Sequence, residues 1–360
     1  MTLSLFPFPG SKSDRKYDRF LYPSMQATAI CESFAGGCGR SLRYHHLPTY
    51  LGEINPAQRA IALALHNPEA YVQGYQEAHD RFWSGHSDSY AKVLSFAGME
   101  KAQSALSVAI PEIYAALTAN WRAIATDLYN WMHGTPDPRV AGYYAFCIRA
   151  CFGNVMRLNP KGTHFNVTWH VDKLANACQY NPQQWLDGLR AIDWNPNVFD
   201  CWESAIAAVP DPSSTWLLLD PPYYVNGITE KCTPCYATGH SVTTQAGLQS
   251  VWDLAIDSLQ AGLERGFESI AVCNYYDPQL DAAIQQLVSD AGYSATTHLL
   301  GECKALGNSN GRRVHGNRVD KRSRPVEVIY RLDRVKKQQW SDFKPSVQSG
   351  NQLNLLEVAA

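Results

Sequence analysis

Short apolar runs, each stopped by Gly, Pro, Asp or Asn, do most to restrict what this chain can fold into. They are Thr28-Ala29-Ile30-Cys31, Thr49-Tyr50-Leu51-Gly52, Trp216 to Leu219, Ser269 to Cys273 and Val326 to Tyr330, and each reads as a β-strand. Between several of them apolar residues recur at helical spacing, as in Leu248, Val251, Trp252, Leu254, Ala255 and Leu259, and in Leu280, Ala283, Ile284, Leu287 and Val288. Strands alternating with helices imply an α/β fold with a mostly parallel, doubly wound sheet. The alternation breaks from about residue 56 to 195, where helical patterns dominate (Ala57 to Leu65, Ile110 to Trp131, Val140 to Phe152). The expected organisation is therefore one α/β domain formed by residues 1–55 and 196–334, interrupted by a helical insert over 56–195. Within the insert, Phe152 to Trp169 is rich in Asn and Gly and reads as a hairpin or loop. Residues 335–360 are polar and aperiodic, as a flexible tail would be.

A chain of 360 residues that is 45% hydrophobic can bury a large core and exceeds a single average domain. Met1 to Gly10 lacks the basic-then-apolar pattern of a secretory leader, and no apolar run is long enough to span a bilayer; a soluble, cytoplasmic protein with no membrane partner is expected. The ten cysteines lie scattered in core-like segments, among them Cys31, Cys38, Cys147, Cys151 and Cys273, which favours reduced thiols. A net charge of −2 gives no global sign of a nucleic-acid partner, but Arg312 to Arg324 holds six Lys or Arg against one Asp and offers a local phosphate track.

Two constellations carry chemistry. Glu32-Ser33-Phe34-Ala35-Gly36-Gly37-Cys38-Gly39 follows the first strand and precedes a helix expected over Arg40 to His45. Glycines at such a turn let backbone approach a nucleoside, although an ordinary structural turn fits as well. Glu53-Ile54-Asn55 ends the second strand with an acid where a ribose diol lies in doubly wound folds. Leu217-Leu218-Leu219-Asp220-Pro221-Pro222-Tyr223-Tyr224 is an apolar strand that ends in an acid, two prolines and two aromatics. Prolines remove donors and stiffen the chain, leaving carbonyls in fixed directions. Asp220 and the Pro221 carbonyl could accept both N–H bonds of an adenine-type amine, return its lone pair to nitrogen and stabilise the positive charge that develops during attack. Tyr223 would stack on a base taken out of its duplex.

These residues resemble the Dam-type adenine-N6 DNA methyltransferases, and the similarity covers roughly residues 5 to 333. The resemblance implies a Rossmann-like S-adenosylmethionine-dependent methyltransferase sheet carrying a helical target-recognition insert, with duplex DNA as substrate and the catalytic tetrad at Asp220-Pro221-Pro222-Tyr223. Cofactor contacts would come from Pro9, Gly10 and Lys12, from Glu32, Phe34, Ala35, Gly36, Gly37 and Gly39, from Glu53, Ile54 and Asn55, and from Asp200, Cys201 and Asp220. DNA contacts would come from Arg149, Phe152, Asn154, Val155, Arg157 and Asn159 in the insert, and from Asn308, Asn310, Arg312 and Arg313 near the end. Ser33 stands where the family's glycine motif has proline, a departure of little consequence; Gly153-Asn154 inverts the hairpin's Asn-Gly order and Thr168 stands where a proline is common, so the family's target sequence is not carried over.

The rival readings are an adenine-N6 methyltransferase of structured RNA and a catalytically idle DNA-binding module. Cys232 and Cys235, with His240 nearby, have a zinc-like spacing but lack a second pair, so no metal is expected. Gln352-Leu353-Asn354-Leu355-Leu356 resembles the bacterial sliding-clamp motif Gln-Leu-x-Leu-Phe, which makes the clamp a candidate partner; the leucines could equally fold back on the domain.

Overall fold

The computed structural model describes residues 12, 14–134, 137–154, 156, 159, 163–223, 245–302, 313–314, 317–318 and 326–335. In chain order its elements are β1 (Ala29–Glu32), α1 (Gly39–Arg43), β2 (Thr49–Gly52), α2 (Pro56–Leu63), α3 (Pro68–Phe82), α4 (Tyr90–Leu94), α5 (Ala102–Ala109), α6 (Pro111–His133) and α7 (Val140–Ala150). There follow α8 (Val171–Gln179), α9 (Pro182–Arg190), β3 (Asn197–Phe199), α10 (Trp202–Ala208), β4 (Thr215–Leu219), α11 (Gln245–Arg265), β5 (Ser269–Tyr275), α12 (Pro278–Asp290), β6 (Tyr293–Glu302), β7 (Arg313–Val314), β8 (Asn317–Arg318) and β9 (Val326–Arg334).

Seven strands form one mixed sheet in the order β3-β2-β1-β4-β5-β9-β6. The first five run parallel, and β9 lies antiparallel between β5 and β6. The architecture is α/β and compatible with a Rossmann-like fold. Strand residues alternate between two faces. Cys31, Leu217, Leu219, Ile270, Val272, Val328 and Tyr330 pack on one side with Leu259, Leu263, Ile284 and Val288 of α11 and α12. Ile30, Trp216, Leu218, Ala271, Cys273 and Ile329 pack on the other with Tyr17 and Leu21. Burial on both faces is why β4 and β5 read as unbroken apolar runs in the sequence.

Helices α2 to α9 supply a third core, which also takes in Ala35, Cys38, Leu42 and Leu51, so the insert packs directly on the loop and strand beside β1. Its centre is a glycine crossing of α3 and α7: a Cβ on Gly142 would lie 2.1 Å from the Tyr71 carbonyl, and one on Gly74 would lie 2.2 Å from that of Arg139. The segment after α7 leaves and returns antiparallel, with the Phe152 N–H donating to Thr168 O (3.0 Å) and the His170 N–H to Ala150 O (3.0 Å).

Two strands of the seven-stranded sheet escape the sequence reading, as does the short β7–β8 pair. β3 has three residues, none fully buried, and β6 is an edge strand that exposes Ser294, Thr296, Thr297 and Leu299. Neither leaves the apolar signature of a strand covered on both faces. Among the described residues, no helix is long and apolar enough to cross a membrane.

Candidate functional site

Ligands of doubly wound sheets bind outside the carboxyl ends of the strands, where the strand order reverses. Here that point lies between β1 and β4, with β2 on the far side of β1. The glycine segment leaves β1, Glu53 follows β2, Asp200 follows β3 and Asp220 follows β4, so the sheet brings these sequence-predicted residues to one edge.

The turn after β1 is built by Gly36 (φ +48°) and Cys38 (φ +53°), and Ala35 N–H donates to Gly52 O at 2.9 Å. Glu32 is buried and turned toward α1, accepting from the Ser41 amide (3.0 Å) and hydroxyl (2.5 Å); burial pushes its carboxyl up to about 7. It thus anchors the loop to the helix. Glu53 is half-buried and accepts from the amides of Gly36 (2.9 Å) and Asn55 (2.7 Å), and the surrounding protein raises it to about 7. Asn55 caps α2 through Ala57 N–H (3.0 Å), and Tyr144 of α7 hydrogen-bonds its side chain, so the insert forms part of the site wall. Ile54 and Asp200 are exposed, Gly39 is buried and Phe34 stacks near Trp202 with ring centroids 6.3 Å apart. The Cys201 sulfur caps α10 by accepting from Ser204 N–H at 3.4 Å.

Around Asp220 the structure assembles a polar cluster. Lys12 is buried, and its ammonium donates to both Asp220 oxygens at 2.9 Å. The Tyr223 hydroxyl donates to Asp220 Oδ1 (2.9 Å) and lies 3.2 Å from Glu327 Oε1. Glu327, also buried, accepts from the Tyr17 hydroxyl at 3.0 Å, and the Lys12 ammonium lies 3.5 Å from it. Burial works against the Lys12 charge, but the Asp220 and Glu327 carboxylates outweigh it and hold the ammonium above its ordinary pKa. The Tyr223 ring carries Lys12 Nζ 4.9 Å from its centroid and meets Tyr275 edge-on at 4.7 Å. Pro221 is buried and Pro222 half-buried. Arg40, wholly buried, holds the Lys12 carbonyl (2.5 Å) together with Asp18, Leu21 O and Asp14 O.

Of the residues expected to contact DNA, Arg149, Phe152 and Asn159 have described side chains. Phe152 is exposed, with its ring against His170. The Arg149 guanidinium faces inward, 3.7 Å from the Tyr180 ring centroid. Asn159 closes a turn with Thr163 and His164. Arg313 pairs with Arg318 through the backbone of β7 and β8. Pro9, Gly10, Val155, Arg157, Asn308, Asn310, Arg312, Cys232, Cys235 and Gln352 to Leu356 lie outside the described residues, as do the side chains of Asn154 and Arg313. Among the described residues, no group of three or more His, Cys, Asp or Glu could hold a metal ion.

Sequence reasoning passed over four residues of the site. Tyr17 and Glu327 reach it from distant segments, and Arg59, in the helix just after Glu53, ties Glu53 O (3.0 Å) to Asp200 O (3.4 Å). The fourth is Gly52, where a Cβ would lie 2.5 Å from Ser33 O and 2.9 Å from Cys201 O. For Glu327 a signal existed: one acid inside the apolar run Val326-Glu327-Val328-Ile329-Tyr330, where a buried charge demands a partner. The chain matches no protein-family model and no curated protein.

Proposed function

We propose that the chain is an S-adenosylmethionine-dependent methyltransferase of Rossmann-like fold that modifies N6 of an adenine flipped out of duplex DNA. The observation that carries this reading is the meeting, at the switch point of one sheet, of the diol-type acid Glu53 and the Asp220-Pro221-Pro222-Tyr223 turn. The site fits the cofactor. Glu53 is fixed by two backbone amides, and a carboxylate oxygen has a second lone pair to accept a ribose hydroxyl. Gly52 keeps three backbone segments close enough to wall a nucleoside.

When bound, the cofactor would supply a sulfonium methyl, its C–S bond breaking as the N–C bond forms; the positive charge would pass to the amine nitrogen, which would then release one N–H proton to water. Asp220 accepts an amine N–H and faces that developing charge, a preorganised electrostatic contribution. Glu53 orients the ribose, and the loop from Phe34 to Gly39 shapes the nucleoside wall. Helices α2 to α9 act as the recognition insert, with exposed Phe152 at the base of the hairpin that meets DNA.

The test is to incubate the purified chain with methyl-labelled cofactor and matched DNA and RNA duplexes, then to digest and identify the labelled nucleoside. N6-methyladenine from DNA is the expected product. Label in RNA alone would move the substrate to RNA. Absence of label in both, with no cofactor binding by calorimetry, would leave a DNA-binding module or nothing of this reading.

A further inference from the structure

We propose that Glu327 is a positioning residue, the second seat for Lys12 and the Tyr223 hydroxyl, which releases Asp220 to the substrate amine. The inference rests on the methyltransferase reading above. As the cluster stands, donors crowd Asp220: Lys12 donates to both of its oxygens at 2.9 Å and Tyr223 donates to Oδ1 at 2.9 Å, which leaves one lone pair, on Oδ2, for an incoming donor. An arriving amine must compete with an ammonium, which is the stronger donor. Both resident donors have an alternative within reach. Lys12 lies 3.5 Å from Glu327 Oε1, and the Tyr223 hydroxyl lies 3.2 Å from the same oxygen. A shift of Lys12 toward Glu327 clears Oδ2, and a shift of both Lys12 and Tyr223 clears Oδ1 as well, with Glu327 taking up the donors that Asp220 releases.

The charges agree with this arrangement. Among the buried groups one ammonium, that of Lys12, stands between two carboxylates, while the largely exposed Lys16 reaches Glu327 Oε2 only at 3.9 Å. The second carboxylate adds to the negative potential that meets the amine as it becomes positive during attack. Without Glu327, Asp220 has to offset both the Lys12 ammonium and the new positive charge in a poorly solvated place, where charge interactions are strong. The sheet order explains the location. β9 pairs antiparallel with β5, placing Glu327 opposite Tyr275, and Tyr275 in turn packs against Tyr223.

The experiment compares Glu327→Gln and Glu327→Asp with the parent, in the full chain, by three measurements: cofactor affinity by calorimetry, melting temperature, and kcat and KM on duplex DNA across pH 6 to 9. Glu327→Gln keeps the shape and one acceptor but removes the charge. Its kcat should fall by at least about tenfold, the scale of lost electrostatic preorganisation, while cofactor affinity stays within about threefold. Glu327→Asp restores the charge and should recover part of the loss. Equal kcat in the parent and Glu327→Gln, or no recovery in Glu327→Asp, overturns the proposal. A fall in kcat that only tracks melting temperature and cofactor affinity in both variants also overturns it, because the residue would then be structural. A parent chain that methylates no nucleic acid overturns the methyltransferase reading, and this inference with it, and is recognised before any variant is compared.

Discussion

Gly52→Ala tests how the site is held together. The added Cβ would sit 2.5 Å from Ser33 O, 2.9 Å from Cys201 O and 3.0 Å from Trp202 Cα. All three are backbone atoms, in the turn after β1 and at the start of α10, so no flexible side-chain end can yield. Relief requires the β1 turn to separate from the junction of β3 and α10. Overpacking of a tight interior costs about 1–3 kcal/mol, and three backbone contacts together place this substitution near about 3 kcal/mol. The same movement strains the Ala35 N–H bond to Gly52 O and the Glu53 N–H bond to Phe199 O, and it draws Gly36 away from the Glu53 carboxylate. The urea midpoint should therefore drop at unchanged slope. Where the variant is still folded, cofactor affinity should fall by at least about tenfold, equivalent to about 1.4 kcal/mol. Gly188→Ala in α9 is the control, since nothing lies within 4 Å of its added Cβ, and it should be stabilising by about 0.5–1 kcal/mol. A Gly52→Ala chain within about 0.5 kcal/mol of the parent, the ordinary range for an innocuous substitution, and with parental cofactor affinity, would refute the reasoning.

Asp220→Ala should abolish methyl transfer with cofactor affinity nearly intact, and turnover within about tenfold of the parent would remove Asp220 from the chemistry. Burial holds Glu32 near 7, against an ordinary value of 4.5, so the folded chain keeps a proton there that the unfolded chain has released. Stability should fall as pH rises from about 4.5 through about 7, by an amount on the order of 3 kcal/mol for this one group, and Glu32→Gln should flatten that part of the curve in urea titrations at pH 5 and 8; equal pH dependence in both chains would contradict the assignment. Arg149→Ala should lower the melting temperature through loss of the Tyr180 contact, worth about 1–2 kcal/mol, with discrimination between DNA sequences unchanged. An unchanged melting temperature would return Arg149 to the set of DNA contacts.

Much of the site was legible because the strands that carry it are covered on both faces. The runs at Trp216 to Leu219 and Ser269 to Cys273 announce buried parallel strands, and the residue after such a strand stands at the ligand edge by geometry alone. Glu53 and Asp220 could therefore be named from their places in the chain. Arg149 could not be judged in the same way. In sequence it is a cation next to a hairpin; in the structure its guanidinium turns away to Tyr180, in a cluster where the Tyr71 and Tyr180 hydroxyls meet at 2.6 Å. Which side of a helix faces the core at its last turn depends on what packs there.

By itself the sequence determined the alternation of strands and helices, the interruption between β2 and β3, and the acids at the ends of β2 and β4, because each is a local pattern of side chains along one element. Only the tertiary structure decided that β9 enters between β5 and β6, and therefore that Glu327 lies beside Asp220 with Lys12 between them. It alone showed that Gly52 must lack a side chain, since the atoms that would meet its Cβ belong to two other segments. The physical reason is the same in each case. Periodicity records which face of an element is buried, whereas contacts between distant segments depend on sheet order and close packing, which no local window of the chain contains.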